Sequence, residues 1–118
     1  MLRAIYRGKV LAEAPRTVRV EFNHYFPPDS VNREHLGESP TRTICPWKGI
    51  AHYYNLLTDD DVESDGAWYY PHPTLLARRI KGHVAFGVGV RIEGEPEDAD
   101  DRASGKPGWL RALLRGGR

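Results

Sequence analysis

The sequence has few of the residues that would define several common classes of protein. A single cysteine among 118 residues excludes an internal disulfide framework and any zinc site built from several cysteines. No apolar run approaches the roughly 20 residues that span a bilayer, and no apolar leader follows the N-terminal Met-Leu-Arg, so we expect a cytoplasmic protein without a transmembrane segment. Neither charge is in excess: 17 Lys and Arg residues face 16 Asp and Glu residues. The net charge of +1 predicts no general attraction to nucleic acid or to acidic membranes.

The residues that are present fit one small folded domain with a tail. Hydrophobic residues make up 40% of the chain and charged residues 28%, which excludes wholesale disorder. The charges are unevenly distributed. Six acidic residues occupy the nine positions from Glu93 to Asp101, and every charged residue after Asp101 is basic. We therefore divide the chain into a β domain at 1–93, an acidic Pro/Gly linker at 94–108 and a short basic amphipathic tail at 109–118.

The hydrophobic periodicity of the domain predicts a mainly β fold of short antiparallel strands. Alternating or β-branched stretches predict strands at 3–6, 10–13, 17–23, 41–45, 51–57, 67–70 and 83–92. The Arg7-Gly8-Lys9 sequence predicts a tight hairpin between the first two strands. One short helix is predicted near residues 73–81, with Leu75, Leu76 and Ile80 at helical spacing.

Two of these strands lead to more specific expectations. In 17–23, alternation places Phe22 on the same face as Val18 and Val20. In 83–92, Gly87 and Gly89 fall on one face and indicate a flat floor against which an aromatic ring lies. That ring is either one of the protein's own or the ring of a ligand, and the sequence leaves both alternatives open.

Three short segments combine aromatic residues with polar or titratable ones. Nine of the twelve aromatic residues lie between Phe22 and Tyr70. Aromatic walls with a few polar groups are typical of small-molecule pockets, although a small β domain also uses such residues to build its core. From these segments we predict a ligand-binding set made of Glu21, Asn23, Tyr25, Trp47, Lys48, Trp68 and Tyr70.

Cys45 and His24 are the candidate catalytic residues. A thiol becomes nucleophilic when a nearby cation or base lowers its pKa, and Lys48 and His24 could both approach Cys45. A second, resolving cysteine is lacking. Two alternatives stay open for each residue: Cys45 is a nucleophile or an unreactive thiol that packs inside or lines a pocket, and His24 is a general base or a structural histidine packed against rings.

Four motifs in the domain carry a resemblance to a known family. They are Asn-His-Tyr-Phe-Pro at 23–27, Cys-Pro-Trp-Lys-Gly at 45–49, Ala-Trp-Tyr-Tyr-Pro at 67–71 and Ile-Lys-Gly-His-Val-Ala-Phe at 80–86. With these motifs in order, residues 2–93 resemble the bacterial DUF427 family, a domain of unknown function. The resemblance implies a small β-tent or Mss4-like fold and brings the label nucleotidyltransferase-like. It implies nothing about the chain from residue 94 onwards.

The residues themselves do not support the functions that these relatives suggest. Zinc in β-tent proteins is held by paired cysteines, and five scattered histidines do not replace them, so we predict no metal and no cofactor. Nucleotidyl transfer needs carboxylates that hold Mg²⁺ and donors that cradle phosphates. The one dense acidic group of the domain, Asp59-Asp60-Asp61, falls in a predicted loop, and no glycine-rich phosphate loop is present.

Two hypotheses about function remain at this stage. The first is a domain that binds a small organic molecule in an aromatic-lined pocket, with Cys45 and His24 available for chemistry. The alternative is a protein-interaction module without catalysis, which uses its surface or the C-terminal helix predicted from 109–115. That helix would dock on its own domain, on a partner or on an anionic membrane. Nucleic acid is not an expected partner, since no recognition motif is present.

Overall fold

A computed structural model describes residues 1–97, and within that range the regular elements are nine strands and three short 3₁₀ helices. The strands are β1 (Leu2–Tyr6), β2 (Lys9–Ala14), β3 (Val18–Val20), β4 (Asn23–Tyr25), β5 (Leu36–Cys45), β6 (Gly49–Leu57), β7 (Val62–Tyr69), β8 (Val84–Phe86) and β9 (Arg91–Gly94). The 3₁₀ helices are Pro28–Ser30, Arg33–His35 and Leu75–Ile80. The predicted mainly β fold is confirmed. The predicted tail at 109–118, and the linker beyond residue 97, lie outside the described residues.

Three antiparallel sheets make up the fold. Their strand orders are β2-β1-β9, β3-β4 and β5-β6-β7-β8. The β3-β4 hairpin is joined to the largest sheet just after β4, where Phe26 and Val84 each donate a backbone hydrogen bond of 2.8 Å to the carbonyl of the other. This junction brings β4 next to β8 and so fixes the position of the β3-β4 turn against the large sheet. The β-tent arrangement stays a prediction.

The observed first hairpin matches the one predicted from the sequence, whereas the single strand predicted at 17–23 is not formed. Arg7 and Gly8 both have positive φ angles, as the predicted tight turn between β1 and β2 requires. The 17–23 stretch instead turns back on itself after Val20, which leaves the side chain of Phe22 93% exposed. Alternation was misleading there because the turn contains neither Gly nor Asn, the residues that usually mark such a reversal.

The predicted helix near 73–81 is confirmed in position but has 3₁₀ rather than α geometry. Its backbone is interrupted at Ala77, where φ is −113° and ψ is 17°. Ala77 and Ile80 are buried, whereas Leu75 and Leu76 face outwards. The apolar spacing therefore located the element without identifying which residues contact the core.

The strand predicted at 83–92 is two strands, β8 and β9, separated by a turn. The Val90 N–H donates to the Gly87 carbonyl at 3.1 Å to close that turn, and the two strands pair with different sheets. A Cβ atom added at Gly87 would lie 3.9 Å from the Trp68 ring, and one added at Gly89 would lie 3.4 Å from the Tyr6 ring. Each glycine therefore lies near a different ring of the protein. The single flat floor predicted on one strand face is not formed, because both glycines lie in the turn between β8 and β9.

The described fold continues a few residues past the predicted domain boundary at 93. The N-terminal amine of Met1 donates to the Glu95 carbonyl at 2.7 Å, and the Glu97 N–H donates to the Pro15 carbonyl at 2.9 Å. No helix within residues 1–97 is long and apolar enough to cross a membrane.

Candidate functional site

The candidate site is built on the turn between β3 and β4. Glu21 and Phe22 form this turn with backbone φ angles of +51° and +68°. Two consecutive positive φ angles are the geometry of a type I′ hairpin turn, which normally uses Asn and Gly. An L side chain in this conformation costs roughly 1–2 kcal/mol per residue. Such strain persists only where other contacts hold it, and it is common at functional sites.

Lys48, in the turn between β5 and β6, supplies the contact that holds Glu21. The Lys48 residue is only 6% exposed, and its Nζ atom donates to Glu21 Oε1 in an ion pair with the half-exposed carboxylate. The Trp47 indole N–H donates to the other carboxylate oxygen at 3.3 Å. The Lys48 ammonium also lies 5.4 Å from the centre of the Trp47 ring and 5.6 Å from that of Tyr70, within cation–π range.

The electrostatics keep this ion pair charged. Burial lowers the pKa of Lys48, but the hydrogen bond to Glu21 and the neighbouring Tyr25, Tyr70 and Cys45 groups outweigh it and raise the pKa above its ordinary value. The hydrogen bond from Lys48 in turn lowers the pKa of Glu21. At neutral pH each charge therefore neutralises the other, and the Lys48 ammonium is not presented freely to an anionic ligand.

Two buried tyrosines lie around Lys48. Tyr25 at the end of β4 is fully buried, and its hydroxyl accepts a hydrogen bond of 3.1 Å from the Trp68 indole N–H. Burial raises the pKa of Tyr25 and raises that of Tyr70 to about 12, so both phenols stay protonated at neutral pH. The half-buried Cys45 packs against the same apolar cluster.

His24 has different surroundings from Tyr25, although the two residues are adjacent on β4. Successive side chains of a strand point to opposite faces, and the His24 Nδ1 atom shares a hydrogen bond of 2.7 Å with Thr17 Oγ1. Burial and the charge of Arg19 lower the pKa of His24, so the ring is neutral at pH 7. Within residues 1–97, no hydrogen bond joins His24 to Cys45.

A cleft opens beside the strained turn, and we call it the turn cleft. Its volume is about 350 Å³. The residues that line it are Phe22, Asn23, His24, Trp68, Phe86, Gly87, Val88, Val90 and Ile92. At neutral pH none of these side chains is charged, and the two polar ones, Asn23 and His24, come from β4. The turn cleft therefore combines aromatic and aliphatic walls with an amide and a neutral imidazole.

A second cleft of about 340 Å³ lies on the other side of the Gly87–Val90 turn. Tyr6 and Leu56 contribute to its walls, together with the carboxylates of Glu63 and Asp65. The second cleft therefore differs from the turn cleft in carrying negative charge, and it contains none of the predicted site residues.

Comparison with known proteins identifies the family. The family model described as "Domain of unknown function (DUF427)" matches residues 1–97. The chain belongs to the DUF427 family. A search of curated proteins gave no match to the sequence. The match covers all nine strands of the described residues and ends three residues after β9.

In this DUF427 domain most of the predicted site residues meet in one contact cluster. The cluster is made of Glu21, Tyr25, Cys45, Trp47, Lys48, Trp68 and Tyr70. The other two predicted residues, Asn23 and His24, lie in the turn cleft instead. Trp68 belongs to both places, because its indole N–H donates to Tyr25 while its ring lines the cleft.

Most walls of the turn cleft could not be recognised from the sequence. Alternation predicted Phe22 on a strand face and Val88 and Val90 on one continuous strand, whereas these residues surround the cleft from two separate turns. The repeated glycines at 87 and 89 were the available signal for a turn, since two glycines within three residues disfavour a regular strand.

The described part of this DUF427 domain contains no group of three His, Cys, Asp or Glu side chains arranged to hold a metal ion. The prediction that no metal or cofactor is used stays a prediction. The catalytic roles considered for Cys45 and His24 also stay predictions.

Proposed function

We propose that this DUF427 domain binds a small, uncharged, ring-containing organic molecule in the turn cleft. The observation that carries the proposal is the lining of the cleft: Phe22, Trp68 and Phe86 provide aromatic surface, and no charged side chain is present. A volume of about 350 Å³ suits a molecule of one or two rings. Apolar walls with a few polar groups that fix orientation are the usual composition of a small-molecule site.

The polar groups indicate what the ligand must offer. The Nδ1 atom of His24 is occupied by Thr17, which leaves the Nε2 atom of the ring for a ligand. The Asn23 amide makes only a 3.5 Å contact with the Glu21 carbonyl and so keeps both donor and acceptor capacity. A carboxylate or ammonium group on the ligand would be desolvated in this cleft without an opposite charge to pair with. A neutral heteroaromatic ring or a carboxamide fits these groups better.

The test is a titration with a panel of neutral ring compounds, namely indole, quinoline, benzamide and nicotinamide. Binding in the turn cleft is expected to change the fluorescence of Trp68 and to shift the backbone amide resonances of residues 86–90. H24A should weaken binding by roughly tenfold, the effect of losing one hydrogen bond of about 1–1.5 kcal/mol. S64A in the second cleft is the matched control and should leave binding unchanged.

Two results would contradict this proposal. One is that no compound of the panel perturbs residues 86–90. The other is that S64A weakens binding as much as H24A, because the ligand would then occupy the second cleft.

A further inference from the structure

Five large apolar side chains are exposed at one end of the β5–β6 hairpin. Ile44, Leu75 and Leu76 are each 80–81% exposed, Ile50 is 51% exposed and Trp47 is 38% exposed. We call this set the apolar tip. Isolated exposed hydrophobic residues are common on any protein, but several close together mark an interaction site.

The contacts of the backbone hold the members of the apolar tip together. Ile44 and Ile50 are a directly opposed cross-strand pair of β5 and β6. The Thr74 N–H donates to the Lys48 carbonyl at 3.1 Å, and its hydroxyl donates to the carbonyl of Trp47. Leu75 and Leu76 follow Thr74 directly, so the 3₁₀ helix presents them beside the hairpin.

Positive charge borders the apolar tip. Arg78, Arg79 and Lys81 are exposed, and in the part of the chain that the structure describes none of them forms an ion pair. The apolar tip lies within two stretches of sequence, residues 39–57 and 66–92, that contain no Asp or Glu. The Glu21 carboxylate, which contacts Trp47 of the apolar tip, is already paired with Lys48.

Negative charge is concentrated at the opposite end of the large sheet. The β6–β7 connection there contains Asp59, Asp60 and Asp61, and two of these pair with Lys9 and Arg7. The near-zero net charge of the chain therefore hides a separation of charge along the sheet. A protein with almost no net charge can still attract an acidic membrane through its basic end, because the field near a surface depends on where the charges lie.

We propose that the apolar tip docks on the surface of an anionic lipid bilayer. Aliphatic side chains and a tryptophan insert into the interface between headgroups and acyl chains, while neighbouring arginines and lysines contact the acidic headgroups. Side chains that are about 80% exposed, as Leu75 and Leu76 are, project from the domain instead of lining a groove.

The charge distribution disfavours the other occupants of this surface. In a symmetric dimer through the apolar tip, the Arg78, Arg79 and Lys81 side chains of two copies would face each other, and like charges repel. The phosphates of a nucleic acid would pair with the basic side chains, but the exposed leucines and isoleucines would stay in contact with water. An anionic bilayer is the partner that accommodates both kinds of residue.

The test is cosedimentation of the full-length protein with vesicles of phosphatidylcholine containing phosphatidylserine, compared with vesicles of phosphatidylcholine alone. Binding is expected only to the vesicles with the anionic lipid, and it should weaken as salt is added. Each basic residue near such a surface contributes about 1 kcal/mol. The R78Q/R79Q variant should therefore bind about 30-fold more weakly. L75S/L76S should lower binding by at least roughly tenfold, since it removes inserted apolar surface.

Matched controls separate the apolar tip from general effects. R7Q/K9Q removes the same charge at the acidic end of the sheet, and V10S/V62S replaces two exposed valines elsewhere; both should bind as the wild type does. Quenching of tryptophan fluorescence by brominated lipid should fall in W47F. Because all variants are made in the full chain, L113S/L114S measures any contribution of the tail separately.

Three outcomes would overturn the proposal. The first is that the wild-type protein binds neither kind of vesicle. The second is that the tip variants bind as tightly as their controls while L113S/L114S does not, which would assign binding to the tail. The third is concentration-dependent dimerisation that L75S/L76S abolishes without any vesicle binding, which would assign the apolar tip to self-association.

Discussion

The residues of the β3–β4 turn combine backbone strain with side-chain functions. Glu21 is bound by Lys48 and Trp47, and Phe22 forms a wall of the turn cleft. An Asn-Gly sequence would form the same type I′ turn without strain but would provide neither side chain. The turn therefore keeps residues that suit the site at a cost to stability, as is common at functional sites.

The F22G variant should raise the free energy of unfolding by about 0.5–1 kcal/mol. Relief of left-handed strain of roughly 1–2 kcal/mol exceeds the entropic cost of a glycine, about 0.5–1 kcal/mol. Urea denaturation measures the change. V10G, at an exposed strand position, is the control and should lower stability instead. A loss of stability in F22G equal to that in V10G would mean that the turn is not strained. Ligand binding should weaken in F22G, because the aromatic wall is lost.

The Glu21–Lys48 ion pair should make stability depend on pH. The pKa of Glu21 is lower in the folded state than its ordinary value of 4.5, so its stabilising effect is present above that pH and is lost as the pH falls through the folded-state pKa. The pKa of Lys48 is raised above 10.5, so its effect is present below that pH and is lost as the pH rises through the folded-state pKa.

Thermal melting measured as a function of pH checks this dependence. The wild type should melt above E21Q near neutral pH, because E21Q leaves the buried Lys48 ammonium without its partner. The difference should shrink in acid, where the wild-type carboxylate is also neutral. E34Q changes a carboxylate outside any ion pair of the described residues and should reproduce the wild-type curve. A constant difference between wild type and E21Q at all pH values would rule out this explanation.

Among the secondary-structure elements, β6 and β7 depend on a glycine that the sequence did not single out. Their register shifts between Tyr54 and Leu56, and Asp65 has a positive φ at the irregularity. The Ser39 and Thr41 hydroxyls of β5 donate to the Asp65 carboxylate at 2.6 and 2.8 Å, which fixes the irregular segment across the sheet. The backbone here lies close to the core, directly above the buried Leu56.

The G66A variant should be destabilised by about 1–3 kcal/mol, the usual cost of overpacking a core. A Cβ atom at this position would lie 2.5 Å from Cγ of the fully buried Leu56. In G37A the added atom meets the end of the Leu57 side chain at 3.3 Å, so G37A should cost less. Urea denaturation of both variants gives the comparison. In addition, G66A and L56A should be non-additive, with a combined cost below the sum, because the smaller side chain removes the clash.

At the scale of the whole molecule, the N-terminal and C-terminal ends of the described fold lie together. β9 pairs with β1, and Met1 contacts both Glu95 and Glu97. The family match also extends to residue 97. These observations make 1–97 a better estimate of the folding unit than 1–93.

Truncation tests that estimate. A chain that ends after Glu97 should melt within about 4 °C of the full-length protein, because it keeps the pairing of β9 with β1 and the contacts of Met1 with Glu95 and Glu97. For a domain of this size, a shift of about 4–8 °C corresponds to roughly 1 kcal/mol. A chain that ends after Val90 should melt far lower or fail to fold, since it loses β9 and the packing of Ile92 against the core. Equal melting of both truncated chains would mean that β9 adds nothing to stability.

The sequence by itself determined the features that depend on local spacing and composition. The β-branched and aromatic stretches at 41–45 and 51–57 predicted the second half of β5 and most of β6. The Arg-Gly pair predicted the first turn, and the four motifs predicted the family. Glu21, Lys48, Trp47, Tyr25 and Tyr70 were expected to meet because they come from three short segments that combine aromatic with polar residues. They lie together in the structure, and their role in binding a ligand stays a prediction.

Only the tertiary structure decided how those residues divide between two environments. Tyr25 and His24 are neighbours in sequence, yet Tyr25 is fully buried beside Lys48, whereas His24 lines the turn cleft. The strained turn at Phe22 and the turn at Gly87–Val90 interrupted stretches that alternate like strands. An alternating pattern shows which residues are apolar but not where a strand ends. The position of a chain reversal depends on contacts with distant residues such as Lys48 and Trp68. For the same reason, the separation of basic and acidic ends became visible only when the strands were placed side by side.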